Sequence, residues 1–407
     1  MEIDLNSYSG PGPRNLITDV IGVQVGHAQD KQIGTGVTVI SGNSPFSASV
    51  DVRGGGPGTR ETDMLSLENS IGRADAIVLS GGSAYGLDAC SEIQDLLREN
   101  QKGYQLGKAI IPLVPGAVIF DLNINDNPHV NVVGKRSPWR ILANKAYNSI
   151  NDDFLLGSYG AGCGATTATL KGGQGSSSWT QEFSNGKAYT VGAIVINNAV
   201  GNPLLNDGPS FLSGHLELEK EFGGYGPSNK KYDNILRAKR IPPSLGKTNT
   251  LNDVSSNTVI GVVATDAPLT RTNLKRLAIM AHDGIARSLS PAHTPMDGDT
   301  IFSISTNTVI GVVATDAPLT RTNLKRLAIM AHDGIARSLS PAHTPMDGDT
   351  IFSISTNQDN KEQVLENVDV LALGSRASDC VARACNRAVY EATSIGSSKP
   401  GWKSLFS

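Results

Sequence analysis

The chain has 407 residues, 39% of them hydrophobic before its 44 glycines are counted, so it carries the apolar content to bury a large core. Its net charge is −3 and its 35 Lys and Arg residues are scattered, which argues against the clustered basic footprint that a nucleic-acid backbone requires. The opening MEIDLNSYSGPGPRNL has early acidic residues and no apolar signal core, and the longest apolar run, residues 109–120, is too short to span a bilayer. The expectation is a soluble, cytoplasmic protein that binds neither nucleic acid nor membrane. Cys90, Cys163, Cys380 and Cys385 lack CxxC spacing and are too sparse for a disulfide framework, so they are expected to be buried free thiols.

Along the chain, strand-like runs alternate with helical stretches. DAIVLS (75–80) predicts a strand, followed by the glycine hinge GGSAYG and a helical pattern from Leu87 to Leu97. TVGAIVIN (190–197) and NTVIGVVATD (257–266) are short β-branched runs of strand length. Between them, residues 223–256 are polar and rich in Gly, Pro, Ser and Asn, which predicts a linker. Leu274, Leu277, Ala278, Ala281 and Ile285 recur at helical spacing within residues 270–289, and DTIFSIST (299–306) predicts a further strand. Residues 257–306 then recur without a substitution at 307–356. Two identical copies are not a solenoid, which needs three or more diverged units to bury each other's faces.

Several chemistries are excluded by what is missing. LSGGSAYG lacks the second glycine of a G-x-S-x-G nucleophile elbow at the required place, and GATTATLKGG lacks the Ser or Thr that follows a Walker lysine. Gly160 to Gly164 does not meet the dinucleotide pattern. There is no HExxH; His282 and His293, with their copies His332 and His343, read as surface or satisfied residues, so neither metal nor cofactor is expected.

Asn257-Thr258 stands at the entrance of a buried strand. A threonine hydroxyl is a weak nucleophile that needs a base, and an α-amine on the same residue, with a pKa of about 7.7 to 8.0, can serve once the preceding bond is cut. The competing reading is a plain β-branched strand residue after a turn. Asp297-Gly298-Asp299 enters the returning strand and can bring two carboxylates towards Thr258. A calcium loop is the rival for these acids, but D-x-[DN]-x-[DN]-G is absent.

Ordered blocks run nearly the length of the chain: ITDVIGVQVGH (17–27), TGVTVI (35–40), DVRGGGPGTRETD (51–63), LSGGSAYGLDA (79–89), VPGAVIFDL (114–122), GAGCGAT (160–166), NTVIGVVATDAPLT (257–270), MAHDGIARSLSPAHTPMDGDTIF (280–302) and DCVARACNRAVYEAT (379–393). In these the chain resembles the DmpA-type self-processing aminopeptidases, N-terminal nucleophile hydrolases that include nylon-oligomer hydrolases and β-peptidyl aminopeptidases. The resemblance implies a four-layer α/β/β/α sandwich of the DmpA and ornithine acetyltransferase type. It implies self-cleavage after Asn257 or Asn307, giving an α chain of 1–257 that ends in the 223–256 linker and a β chain of 258–407 carrying the duplication. Thr258 or Thr308 would be the nucleophile, with Asp297 and Asp299, or Asp347 and Asp349, as its orienting acids. Thr258 is favoured because SSN in a flexible linker precedes it, whereas Thr308 follows a strand. Asn198 matches the side-chain donor to the oxyanion, Lys171 a lysine near the nucleophile, and Phe120 a position where some members carry a pocket tyrosine. The implied partner is a small peptide or amide substrate, handled by a homo-oligomer of processed pairs. An acyltransferase like the ornithine acetyltransferases, and a duplicated chain that never processes, are the alternatives.

Overall fold

The protein is described by a computed structural model. It describes residues 9–227, 258–302, 310–315 and 350–355, apart from 125–136, 183–187 and some shorter stretches, together with scattered residues of 326–336. The chain divides into two compact units. The first comprises Met1–Val200, Lys239–Ala281 and Met296–Ser305, and the second Gly201–Ala238, His282–Pro295 and Thr306–Ser407.

The first unit holds two principal sheets. One has six strands, β1 (Ser9–Gly10), β4 (Asp51–Val52), β10 (Gly173–Glu182), β11 (Ala188–Asn198), β12 (Thr258–Thr265) and β13 (Thr300–Phe302), in the spatial order β1-β10-β11-β12-β13-β4. The other has five, β2 (Gln24–Asp30), β3 (Thr35–Ser47), β5 (Thr59–Arg60), β6 (Arg73–Ser80) and β9 (Gly116–Val118), in the order β2-β3-β6-β9-β5. A separate hairpin joins β7 (Tyr104–Leu106) to β8 (Ala109–Ile111).

Period-two alternation decides which residues face inward. Ile194 and Ile196 of β11 and Ile260 and Val262 of β12 share one buried cluster with Val25, Ile40, Ile77 and Leu79 of the five-stranded sheet. The opposite face of that second sheet, carrying Val37, Val39, Ala76 and Val78, is covered by two helices, α1 (Asp88–Glu99) and α2 (Pro138–Tyr147). Ala89, Cys90, Ile93 and Leu97 form the buried stripe of α1, and Trp139, Leu142, Ala143 and Ala146 that of α2. Proline at the first turn of α2 fits a position whose amide has no helical partner.

A third helix, α3 (Arg271–Ser288), follows β12. Its first two turns are tied down by charge: the Arg271 guanidinium donates to the carbonyls of Ser66, Asn69 and Ile71, and Lys275 Nζ to Val50 O and Asp51 Oδ1, both at 2.7 Å. The mixed sheet and helix pattern expected from the sequence is present, with modest boundary changes. The strand at 75–80 begins earlier, at Arg73, and the helix at Leu87 is preceded by a 3-10 turn, Ser83–Leu87. The 223–256 linker lies outside the described residues except for its first five.

In the second unit, β14 (Ile310–Thr315) and β15 (Thr350–Ser355) pair in parallel. His282 and His293 correct the surface alternative: both are fully buried, meeting edge to face with ring centroids 4.7 Å apart. Cys90 and Cys163 are buried free thiols, while Cys380 and Cys385 lie outside the described residues.

Replacing Ile260, which is fully buried between the sheets, with alanine is expected to cost about 2–5 kcal/mol through lost burial and a residual cavity. Ile21→Ala, at a side chain 86% exposed, is expected to change stability by less than about 0.5 kcal/mol. Urea denaturation followed by tryptophan fluorescence checks both.

Candidate active site

The site is assembled by strand register. Antiparallel pairing of β11 with β12 sets Asn198 directly opposite Thr258, so the amide and the hydroxyl project from the same face of the sheet. It is the inner face, two residues beyond Ile196 and two before Ile260. Both polar side chains are buried. On the other side of β12, parallel pairing with β13 aligns Ile260 with Thr300. The residues just before Thr300 therefore run beside Thr258, and these are Asp297, Gly298 and Asp299.

Both carboxylates are buried and both accept main-chain amides. Val259 N donates to Asp299 Oδ1 at 2.7 Å, and Val200 N to Asp297 Oδ1 at 3.2 Å. An ionised carboxylate deprived of water is tolerated when such donors replace it. The turn's own carbonyls are held by the glycine-rich loop after β4: Arg53 N and Gly54 N donate to Asp299 O, and Gly56 N to Asp297 O at 2.7 Å. Gly298 is required by close approach, because a Cβ there would lie 2.9 Å from Thr258 Oγ1 and 2.7 Å from Gly56 O.

Asn198 is fixed at both ends of its amide. Its Oδ1 accepts the Thr166 amide at 2.9 Å, and its Nδ2 donates to Phe120 O at 3.3 Å. Phe120, which carries no phenol, contributes a main-chain carbonyl. Lys171 stands behind Thr166, donating from Nζ to Ala165 O (2.6 Å), Gly172 O (3.1 Å) and Gly162 O (3.2 Å). Partial burial holds its pKa below the usual lysine range, against the opposing pull of Cys163 and Asp121.

The structure thus gathers Thr258, Asn198, Asp297 and Asp299 and puts Lys171 on the turn that supports Asn198. Asn257, Asn307, Thr308, Asp347 and Asp349 lie outside the described residues. Sequence reasoning passed over Asp121, whose carboxyl is buried and accepts the Gly82 amide at 2.7 Å. Burial pushes its pKa up to about 6, opposed by Thr35, by the Gly82 amide and by Lys171. Its one visible signal was a charged residue inside the apolar block VPGAVIFDL. Among the described residues no group of three or more His, Cys, Asp or Glu side chains is gathered to hold a metal, and no helix is long and apolar enough to cross a membrane.

Comparison with known proteins places the chain in a family. The sequence profile of peptidase family S58 matches residues 15–309 and again 305–400. An uncharacterized aminopeptidase of Mycobacterium tuberculosis is 39% identical over 296 residues, covering 71% of this chain and 80% of the relative. The 6-aminohexanoate-oligomer endohydrolase of Paenarthrobacter ureafaciens is 26% identical over 306 residues, 74% of this chain and 77% of that enzyme. Among solved structures, the L-aminopeptidase D-Ala-esterase/amidase of Ochrobactrum anthropi, a variant of the Ntn-hydrolase fold, superposes with a TM-score of 0.52 at 20% identity, over 97% of this chain and 91% of that one. That likeness shows the fold, the α/β/β/α sandwich expected from the sequence.

The raised pKa of Asp121 has a sign that can be checked. The folded chain holds this proton more tightly than the unfolded chain, so the stability it contributes is full below about pH 4, where a free Asp titrates, and is lost as pH rises through about 6. Asp121→Asn is expected to flatten the fall in stability across that window, measured by urea midpoints at closely spaced pH values.

Proposed function

Because the chain belongs to peptidase family S58, and so is a hydrolase of peptide and amide bonds, we propose that it is a self-processing aminopeptidase with Thr258 as its nucleophile. The observation that carries this reading is the Asn198–Thr258 cross-strand pair, with the Asp297–Gly298–Asp299 turn packed against the same hydroxyl. Self-cleavage begins when Thr258 Oγ1 attacks the Asn257 carbonyl. The Asn257–Thr258 amide breaks, its nitrogen takes up the hydroxyl proton and becomes the α-amine of Thr258, and an ester joins the two residues. Water then hydrolyses the ester, leaving a carboxylate on Asn257 and a free hydroxyl on Thr258. The products are an α chain of 1–257 and a β chain of 258–407.

In turnover the new α-amine accepts the hydroxyl proton as Oγ1 attacks the substrate carbonyl. Negative charge develops on the carbonyl oxygen, and the Asn198 amide is the donor aimed at the face where that charge appears. Collapse expels the amine half of the substrate, which leaves with the proton, and water releases the acyl half from Thr258. Asp297 and Asp299 hold the strand ends on either side of the hydroxyl, through Val200 N and Val259 N. With a free amine on the acyl half, the reaction is removal of an N-terminal residue from a small peptide or amide. The processed pairs are expected to assemble as a homo-oligomer.

The intact mass of the purified chain tests the processing step. Two fragments meeting between Asn257 and Thr258 are expected, and a fragment beginning at Thr308, or an uncut chain, overturns the assignment. Thr258→Ala is expected to abolish that cut and Thr258→Ser to retain it. Asn198→Ala is expected to lower kcat by about 10²- to 10³-fold on an aminoacyl amide. Preferential transfer of the acyl group to an added amine over water would favour the acyltransferase alternative.

A further inference from the structure

Two charged side chains outside the cross-strand pair act on the segments that hold the two ends of the Asn198 amide. On one side, Asn198 Oδ1 accepts the amide of Thr166, at the end of the turn 162–166, and Lys171 grips that turn through the carbonyls of Gly162 and Ala165. On the other side, Asn198 Nδ2 donates to Phe120 O, and the next residue is Asp121.

Asp121 ties the segment that carries Phe120 O to its surroundings. Its Oδ1 accepts the Gly82 amide at 2.7 Å, and the Ile119 carbonyl accepts the Ser83 amide at 2.9 Å, so residues 119–121 are pinned to the turn after β6. The same carboxyl reaches the 162–166 turn. A Cβ on Gly164 would lie 2.6 Å from Asp121 Cβ and 2.8 Å from its Oδ2, so backbone and carboxyl are in direct apposition there. Asp121 therefore touches both segments that present partners to Asn198: the one carrying Phe120 O and the one carrying Thr166 N.

We propose that Asp121 is a positioning residue for the oxyanion donor, setting the orientation of the Asn198 side chain through Phe120 and the 162–166 turn. It does not meet the substrate. An oxyanion donor acts only if it is already aimed at the position that the charge will occupy, and an amide bonded to a carbonyl on one segment and an N–H on another follows the movements of both. The groups that face the carboxyl are the Thr35 hydroxyl on β3, the Gly82 amide, the Lys171 ammonium and the Cys163 thiol beside it. An asparagine at 121 keeps the shape and the Gly82 bond but removes the charge that Lys171 faces across the turn.

This inference rests on the reading of Asn198 as oxyanion donor, and a double-mutant cycle separates the two. Asp121→Asn, Asn198→Ala and the double variant are compared by kcat and KM on an aminoacyl amide, with processing checked by intact mass. Asp121→Asn is expected to lower kcat about tenfold or more with KM changed less than about threefold, and to cost nothing further once Asn198 is alanine. Equal losses in both backgrounds would mean a general structural role and would overturn the proposal. An Asn198→Ala variant with undiminished kcat would instead overturn the oxyanion reading itself. If Asp121→Asn does not accumulate as folded protein, Thr35→Val, which removes the hydroxyl facing the same carboxyl, takes its place in the cycle with the same expected non-additivity.

Discussion

The position of Thr258 depends on a turn with no room to spare. Gly298 lies so close to the hydroxyl that a single methyl group there would collide with it, while the carboxylates on either side grip the ends of β11 and β12 by their amides. A parallel partner cannot follow its strand through a tight turn, so β13 has to return by a crossover, and α3 is that crossover. The glycine-rich loop after β4 has a complementary duty, turning its amides towards the carbonyls of Asp297 and Asp299. Mixed sheet, crossover helix and glycine loop are three consequences of holding one turn against one hydroxyl.

Charge is the cost of that arrangement. Asp297, Asp299 and Asp121 are all withdrawn from water, and each accepts a main-chain amide. Amide donors suit this role because they are carried by the strands and turns themselves and need no side chain to be ordered. Lys171, the nearby cation, spends its hydrogen bonds on carbonyls, stiffening a turn. The result is a site in which the hydroxyl, the amide and the acids are all placed by backbone, consistent with a chemistry that relies on preorganised dipoles.

How much of this was legible follows from what local pattern can carry. The β-branched runs at 190–197 and 257–266 and the apolar spacing of 270–289 became β11, β12 and α3 because burial imposes period two or 3.6 wherever it occurs. The residue types at the site were legible through resemblance. Their arrangement was not: nothing in VINNAVG or NTVIG states that Asn198 faces Thr258, since register belongs to two strands separated by 60 positions. Phe120 shows the limit most clearly. Its side chain marks a lost phenol, yet its carbonyl is what the Asn198 amide uses, and every residue type has a carbonyl. For a related reason the sequence left His282 and His293 between a surface and a satisfied interior place, because a histidine's burial depends on what packs around it, which composition does not reveal.

The duplicated segment separates what fifty residues encode from what they borrow. In the first copy β12 and β13 align Ile260 with Thr300, Gly261 with Ile301 and Val262 with Phe302; in the second, β14 and β15 align Ile310 with Thr350, Gly311 with Ile351 and Val312 with Phe352. The parallel pairing is therefore written into the repeat. The neighbours are not. The first pair sits between β11 and β4 in a six-stranded sheet, whereas the second is a two-stranded sheet among the described residues. Asn198, the Phe120 carbonyl and the loop at 53–56 occur once in the chain. On the proposed reading, a second Asn-Thr motif with its own pair of acids duplicates the hydroxyl in sequence but not the frame that aims it, so one chain equips at most one of its two threonines at a time.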